Sequence, residues 1–353
     1  MTDTTTRATG HPSEPVLRVG LIGAGGIAHA HLPAWLALGA TVRIFALEGA
    51  SELARTIGGT AVERLGDALT DVDVVDVCTP TPTHVDIATA AMDAGVTSVV
   101  CEKPLGRTAE QARQLVAAAD AVGAQLYPGH VVRFFAEYAA MHAAVVAGVV
   151  GRIAVQRFTR TCTAPGPRWF HDDALSGGIV LDQMIHDLDF ARWNAGEVAT
   201  VFARHVAAQQ DAGLVRSATV VLTHVGGAIS SVVGTWAPDG TPFRTTFEIA
   251  GDAGLLRHDS TQHQPVVVLG GAHPNGTSPA VTGLLPRVVG ESPFGTELAE
   301  FLAAFRGGPP PRVAASDGVA AIVIAEAALE SIRTGRTVSL TATTDRTRAG
   351  AHA

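Results

Sequence analysis

Lys103 is the one lysine in a chain of 353 residues that carries 24 arginines. Guanidinium keeps its charge in proteins, whereas a desolvated ammonium can release its proton, so a lysine retained against an arginine-rich background points to proton chemistry. It lies in Cys101-Glu102-Lys103-Pro104. A second cluster, Gly23-Ala24-Gly25-Gly26-Ile27-Ala28, reads G-x-G-x-x-A. Gly23 permits a tight turn, Gly25 lets the backbone approach a pyrophosphate, and Ala28 allows close helix–strand packing. Gly26 and Ile27 then open a helix whose free N–H groups face the diphosphate. A third cluster, Ser176-Gly177-Gly178 followed by Asp182 and His186, sets a carboxylate and an imidazole at i and i+4, on one helical face. There Asp182 would orient His186 and raise its basicity. Taken alone, the pair also fits a surface ion pair or two metal ligands, but no further Cys, His or Glu cluster completes a metal site.

The residues around these clusters extend the reading. Glu48 closes the second strand candidate, where a carboxylate accepts hydrogen bonds from ribose hydroxyls and repels a 2′-phosphate. With Gly49 rather than Arg after it, NAD is preferred over NADP, although Arg43 and Arg55 leave NADP open and Glu48 also suits an ordinary exposed turn. In Thr79-Pro80-Thr81-Pro82-Thr83-His84, Thr79 and Pro80 would flank a cofactor at the carboxyl end of a strand. His84 could touch cofactor or substrate, or cap the next helix. Arg168-Trp169-Phe170-His171 offers an aromatic face beside polar groups, suited to a sugar ring. Arg133 and Arg168 could each bind an anion bidentately or form structural ion pairs. His29 and His31 read as packing or surface residues.

The elements that must position these groups fall into two textures. Short apolar runs at Val16–Ile22, Thr41–Leu47, Val72–Val77, Ser98–Cys101 and Gln125–Tyr127 alternate with helical stretches at Ile27–Leu38, Ser51–Ile57, Val85–Ala94 and Thr108–Val122. Such alternation predicts a parallel sheet with helices on both faces. Thr108 and Gln111 predict a capping box. After Tyr127, a helix near 134–147, a strand at Arg152–Thr163 and a helix over Val180–Trp193 precede strand candidates at 198–207, 217–224, 228–236, 243–250, 254–258 and 265–269. Strands in succession predict an antiparallel sheet. Helices at 295–305 and 317–334 and a strand at 337–340 follow, and the 271–290 loop reads as mobile.

The bulk composition bounds the rest. Hydrophobic content of 47% with 16% charged residues describes a globular chain, long enough for two domains: 16–130 and 131–340. Residues 1–15 and 341–353 read as a disordered leader and tail. The net charge of −8 gives no electrostatic case for nucleic acid or an anionic membrane. Cys78, Cys101 and Cys162 are too widely spaced for a disulfide framework or zinc pattern. Without a signal segment or an uninterrupted apolar span, the expected location is cytoplasmic.

The glycine turn, then Glu-Lys-Pro, then Gly-Gly-x-x-x-Asp-x-x-x-His-Asp, in that order, resemble the glucose–fructose oxidoreductase/inositol dehydrogenase/MocA family. The likeness includes Gly129-His130-Val131-Val132-Arg133-Phe134 and the late segment 327–338, and so spans nearly the whole chain. Ser176 replaces a usual third glycine, and Glu48-Gly49 replaces the more usual Asp followed by a polar residue. The resemblance implies an α/β Rossmann domain plus an α+β domain with a large open, mainly antiparallel sheet, through which a homodimer or homotetramer would assemble. It also implies a cis bond before Pro104, NAD as cofactor, and a catalytic set of Lys103, Asp182 and His186. Glu102 would help hold Lys103 or the nicotinamide ribose, and His130, Arg133, Arg168 and Trp169 are further candidates for the substrate side. The activity implied is oxidation of a secondary hydroxyl on a sugar or cyclitol: hydride passes to the nicotinamide and the proton to His186, with Lys103 on the same oxygen. A redox-neutral cleavage of glycosides through transient oxidation, and a non-catalytic sensor on the same fold, stay open as alternatives.

Overall fold

The computed structural model describes residues 16–210, 213–262, 266–269, 283–284 and 292–340. The expected leader and tail, and most of the 271–290 loop, lie outside the described residues.

The first sheet is parallel and six-stranded, in the order β3-β2-β1-β4-β5-β6. Its strands are β1 (Arg18–Ile22), β2 (Thr41–Phe45), β3 (Thr60–Ala61), β4 (Val74–Val77), β5 (Ser98–Glu102) and β6 (Gln125–Gly129). They are joined in turn by α1 (Ala28–Ala37), α2 (Ala50–Thr56), α3 (Leu65–Leu69), α4 (His84–Asp93) and α5 (Ala109–Val122). The strand order reverses between β1 and β4, so the carboxyl ends of these two strands open the crevice where such sheets bind ligands. β4 is buried along its whole length, as a strand covered on both faces should be, yet it carries Asp76 in its middle. Thr108 and Gln111 form the expected capping box at the start of α5. The short β3 and α3 have no counterpart among the predicted elements, because two and five residues are too few to show a period.

Among the described residues the second sheet has nine strands, in the order β14-β13-β12-β11-β7-β10-β9-β8-β15. They are β7 (Ile153–Thr163), β8 (Val198–Gln210), β9 (Gly213–His224), β10 (Ile229–Ala237), β11 (Arg244–Gly251), β12 (Leu255–Asp259), β13 (Val266–Leu269), β14 (Gly283–Leu284) and β15 (Val338–Ser339). The sheet is mixed rather than wholly antiparallel. β7 lies between β10 and β11 and runs parallel to β10, because the chain leaves β7 through helices and returns to build β8, β9 and β10 beyond it.

The remaining helices are α6 (Ala136–Val146), α7 (Asp173–Ser176), α8 (Ile185–Ala195), α9 (Pro293–Phe305) and α10 (Ala315–Thr334). α8 and α10 pack on one face of the second sheet around Phe158, Phe190, Phe247 and Tyr138. The alternating burial of β10 leaves its other face uncovered. α10 also packs on α5, where Glu326 accepts the Ala109 backbone N–H and Gly318 lets Leu105 and Pro128 approach. α9 returns to pack against α1. Among the described residues no helix is long and apolar enough to cross a membrane.

Candidate active site

Lys103 follows the last residue of β5, and its peptide bond to Pro104 is cis. Glu102, buried, accepts the Lys103 backbone N–H through Oε2 at 3.1 Å. His84 braces the turn from α4: its Nδ1 lies 2.8 Å from the Pro104 carbonyl and its Nε2 2.8 Å from that of Thr79. The ammonium crosses to the other half of the molecule. Nζ donates to the Asp182 carbonyl at 2.8 Å and to its carboxylate Oδ1 at 3.1 Å. An ammonium has three donors, so one N–H is left to serve a ligand.

The element beneath Asp182 differs from the continuous α-helix expected over Val180–Trp193. Gly177 and Gly178, at φ +77° and +64°, turn the chain into a π-helical turn, Val180–Met184, and α8 starts only at Ile185. The Asp182 carboxylate meets Lys103, and among the described residues no hydrogen bond joins it to His186. In this geometry Asp182 orients the ammonium.

His186 is partly exposed, while its Nδ1 is buried without a hydrogen-bond partner. Burial first, then the positive charges of Lys103 and Arg160, hold its pKa well below the usual 6.5. The ring is therefore neutral at pH 7. Arg160 reaches it from β7 as half of a buried ion pair, bidentate to Asp187 at 2.9 and 2.8 Å and bonded to the Tyr138 hydroxyl at 3.1 Å. The sequence reading passed over Arg160 and Asp187; the -His-Asp- pair was its one available signal.

The other candidates separate. His130 is buried; among the described residues neither ring nitrogen makes a hydrogen bond, Nδ1 lies 3.7 Å from Asp189 Oδ2, and burial holds its pKa below 6.5. Arg133 faces inward: Nε and Nη2 bind Asp189 at 2.8 and 2.6 Å, and Nη1 binds the Arg312 carbonyl and Asp317. Its guanidinium also lies over the Trp193 ring, so the donors that could have clamped an anion are used within the protein. Arg168 is exposed and Trp169 stacks on Phe170 at 3.8 Å, both on the 3-10 turn Arg168–His171. Neither hydrogen-bonds to Lys103, Asp182 or His186 among the described residues.

At the dinucleotide turn, Gly23 has φ +120°, and a Cβ there would meet the Cys78 carbonyl oxygen at 2.4 Å. Gly25 and Gly26 are exposed at the amino end of α1, and a Cβ on either would meet nothing within 4 Å. The turn thus leaves open the space a diphosphate needs, and the residues fit a dinucleotide. Glu48 is exposed just past β2; Thr79 is half-buried and Pro80 exposed just past β4. Arg43 donates to the Asp67 and Thr70 carbonyls and Arg55 pairs with Glu52, so both arginines are engaged within the protein.

Residues 17–130 match the family described as "Oxidoreductase family, NAD-binding Rossmann fold", and residues 138–257 match its C-terminal domain. The rhizopine catabolism protein MocA of Rhizobium meliloti is 30% identical over 89% of this chain and 94% of its own length. The chain belongs to the Gfo/Idh/MocA oxidoreductase family. Inositol 2-dehydrogenase of Rhizobium meliloti (strain 1021) is 28% identical over 92% of this chain and 99% of its own. Among solved structures, GenD2 from gentamicin A biosynthesis in complex with NAD superposes with a TM-score of 0.78 at 26% identity, covering 95% of this chain and 99% of its own. This Gfo/Idh/MocA protein is an NAD-dependent dehydrogenase acting on CH–OH groups.

Proposed function

We propose that this family member oxidises a secondary hydroxyl of a sugar, sugar derivative or cyclitol. The observation that carries the reading is the Lys103 ammonium anchored on Asp182 beside the neutral His186. Bound NAD supplies the hydride acceptor. Gly23, Gly25, Gly26 and Ile27 would hold its diphosphate, Glu48 its adenosine ribose, Thr79, Pro80 and Glu102 its nicotinamide half. His186 takes the hydroxyl proton as general base, its low proton affinity in the apo site rising as alkoxide charge develops beside it. Lys103 places its remaining N–H on the same oxygen and stabilises that charge. Asp182 fixes the ammonium's direction, and the Arg160–Asp187 pair supports the helix start that carries His186. Trp169, Arg168 and His130 are the residues we assign to the substrate side.

The uncovered face of the second sheet supports assembly as a homodimer or homotetramer, which light scattering after gel filtration would read directly. The substrate class is tested by incubating the protein with NAD+ and a panel of cyclitols, aldoses and glycosides, following NADH absorbance and product mass together. NADH accumulating with a cyclitol or aldose supports the reading. Glycoside cleavage without NADH would replace it with the redox-neutral elimination.

A further inference from the structure

A second group of buried titratable side chains lies beneath the dinucleotide turn. α1 contributes His31 and Trp35, β4 Asp76, the next residue but one Cys78, β5 Glu102, and α9 Glu297, all buried. His31 Nδ1 lies 2.8 Å from Asp76 Oδ2, and the same oxygen accepts Trp35 Nε1–H at 2.7 Å. On the other side of the ring, Nε2 lies 3.2 Å from Glu102 Oε1, an ion-pair distance without hydrogen-bond geometry. Glu102 then accepts the Lys103 backbone N–H through Oε2. Gly129, paired with Glu102 across β5 and β6, leaves room for this carboxylate: a Cβ there would sit 2.6 Å from Oε1.

The structure assigns His31 as a positioning residue, an imidazolium clamped between Asp76 and Glu102 that fixes the Glu102 carboxylate and, through it, the backbone of Lys103. The inference rests on the proton-transfer role proposed for Lys103. Two carboxylates facing one buried ring are stable as anions only with a cation between them. Burial opposes the charged form of His31, but Asp76 overcomes it and its pKa stands well above the usual value. Among the described residues Glu297 has no hydrogen-bond partner on either oxygen, and burial pushes its pKa well above the carboxyl range, so it adds no third anion. The other groups around Glu102 are His84, His130, Cys78, Cys101 and Lys103. Burial drives both histidines towards the neutral form and both thiols towards the protonated one, which leaves His31 and Lys103 as its cations. The donor atoms of His31, Asp76 and Cys78 lie within 4.8 Å of one another, close enough for a metal. A proton holds that position instead, since Trp35 already fills the Asp76 oxygen and the Cys78 thiol stays protonated.

The arrangement couples α1, which carries the cofactor turn, to the lysine through one charge. Removing that charge leaves Glu102 buried without its interior cation, and protonation of its carboxylate then competes with the bond to Lys103. For His31→Gln we expect kcat/KM to fall about tenfold or more near neutral pH and to recover at alkaline pH, the acid limb having moved upward. In a Glu102→Gln background the same change should cost no more than about twofold, because the two act as one unit. An equal loss at every pH, or losses that multiply in the double variant, would overturn the assignment. In the cofactor-free protein, nitrogen NMR should show the ring of His31 doubly protonated at mildly alkaline pH; a neutral ring overturns the clamp. If His31→Gln does not fold, Asp76→Asn decides. It should bring the His31 titration down towards neutrality and raise the acid limb, and an unchanged titration refutes the clamp. A wild-type protein that turned over no alcohol would defeat the proposed function, while the NMR measurement would still judge the charge.

Discussion

Lys103 spends two of its donors on Asp182 and keeps one for chemistry. Arginine at this position would carry the charge but could not release a proton. Lys103→Arg is therefore expected to lower kcat about a hundredfold or more while leaving NADH affinity, read by fluorescence titration, nearly unchanged. An unchanged kcat would remove the lysine from the proton path. His186 makes a pH prediction with a definite sign. Its folded pKa is depressed below 6.5, so under mildly acidic conditions the unfolded chain binds a proton that the native protein refuses. This residue's contribution to stability is present above that pH and lost as the pH falls through it. His186→Gln should flatten the acid side of a urea-unfolding stability curve and lower kcat by about two to four orders of magnitude.

The elements show where sequence reading reached and where it stopped. The capping box at Thr108 and Gln111 was legible because both partners lie within one turn. The parallel strands other than β3 were legible because short apolar runs survive burial on both faces. The π-turn at Val180–Met184 was not, since apolar residues there satisfy either helical period. What fixes it is packing: Met184 presses against β10 at Gly234, where a Cβ would lie 2.4 Å from its Cγ. Gly234→Ala should destabilise the fold by about 1–3 kcal/mol and displace the turn that carries Asp182. Thermal melting together with kcat would test this, and a variant as active and as stable as the parent would show that Met184 simply moves aside.

Across the whole molecule, the two sheets are tied by buried charges rather than by apolar contact alone. Arg133, 1% exposed, joins the segment after β6 to α8 through Asp189 and to the start of α10 through Asp317. Removing one partner of a buried pair strands the other, so Arg133→Met should cost about 3–5 kcal/mol in urea unfolding. A loss below about 1 kcal/mol, the range of surface pairs, would mean the pair is hydrated in solution. Its inward orientation also explains why sequence could not choose between ion pair and anion site. The residue type suits both, and only the position of Asp189, 56 residues away, decides.

Residue types and their local spacing determined the dinucleotide turn and the alternation of strands and helices, and marked Lys103 and the Asp182–His186 pair as separate candidates that the family resemblance then joined into one set. Each of these rests on interactions within a few residues, or on chemistry that a side chain carries wherever it lies. The tertiary structure decided which partner each charge takes. Asp182 took Lys103 as its hydrogen-bond partner, Arg133 took Asp189 rather than a bound anion, and His31 lies between Asp76 and Glu102 instead of merely packing. A buried charge must be compensated by whatever the fold brings within about 3 Å, and that distance bears no relation to separation along the chain.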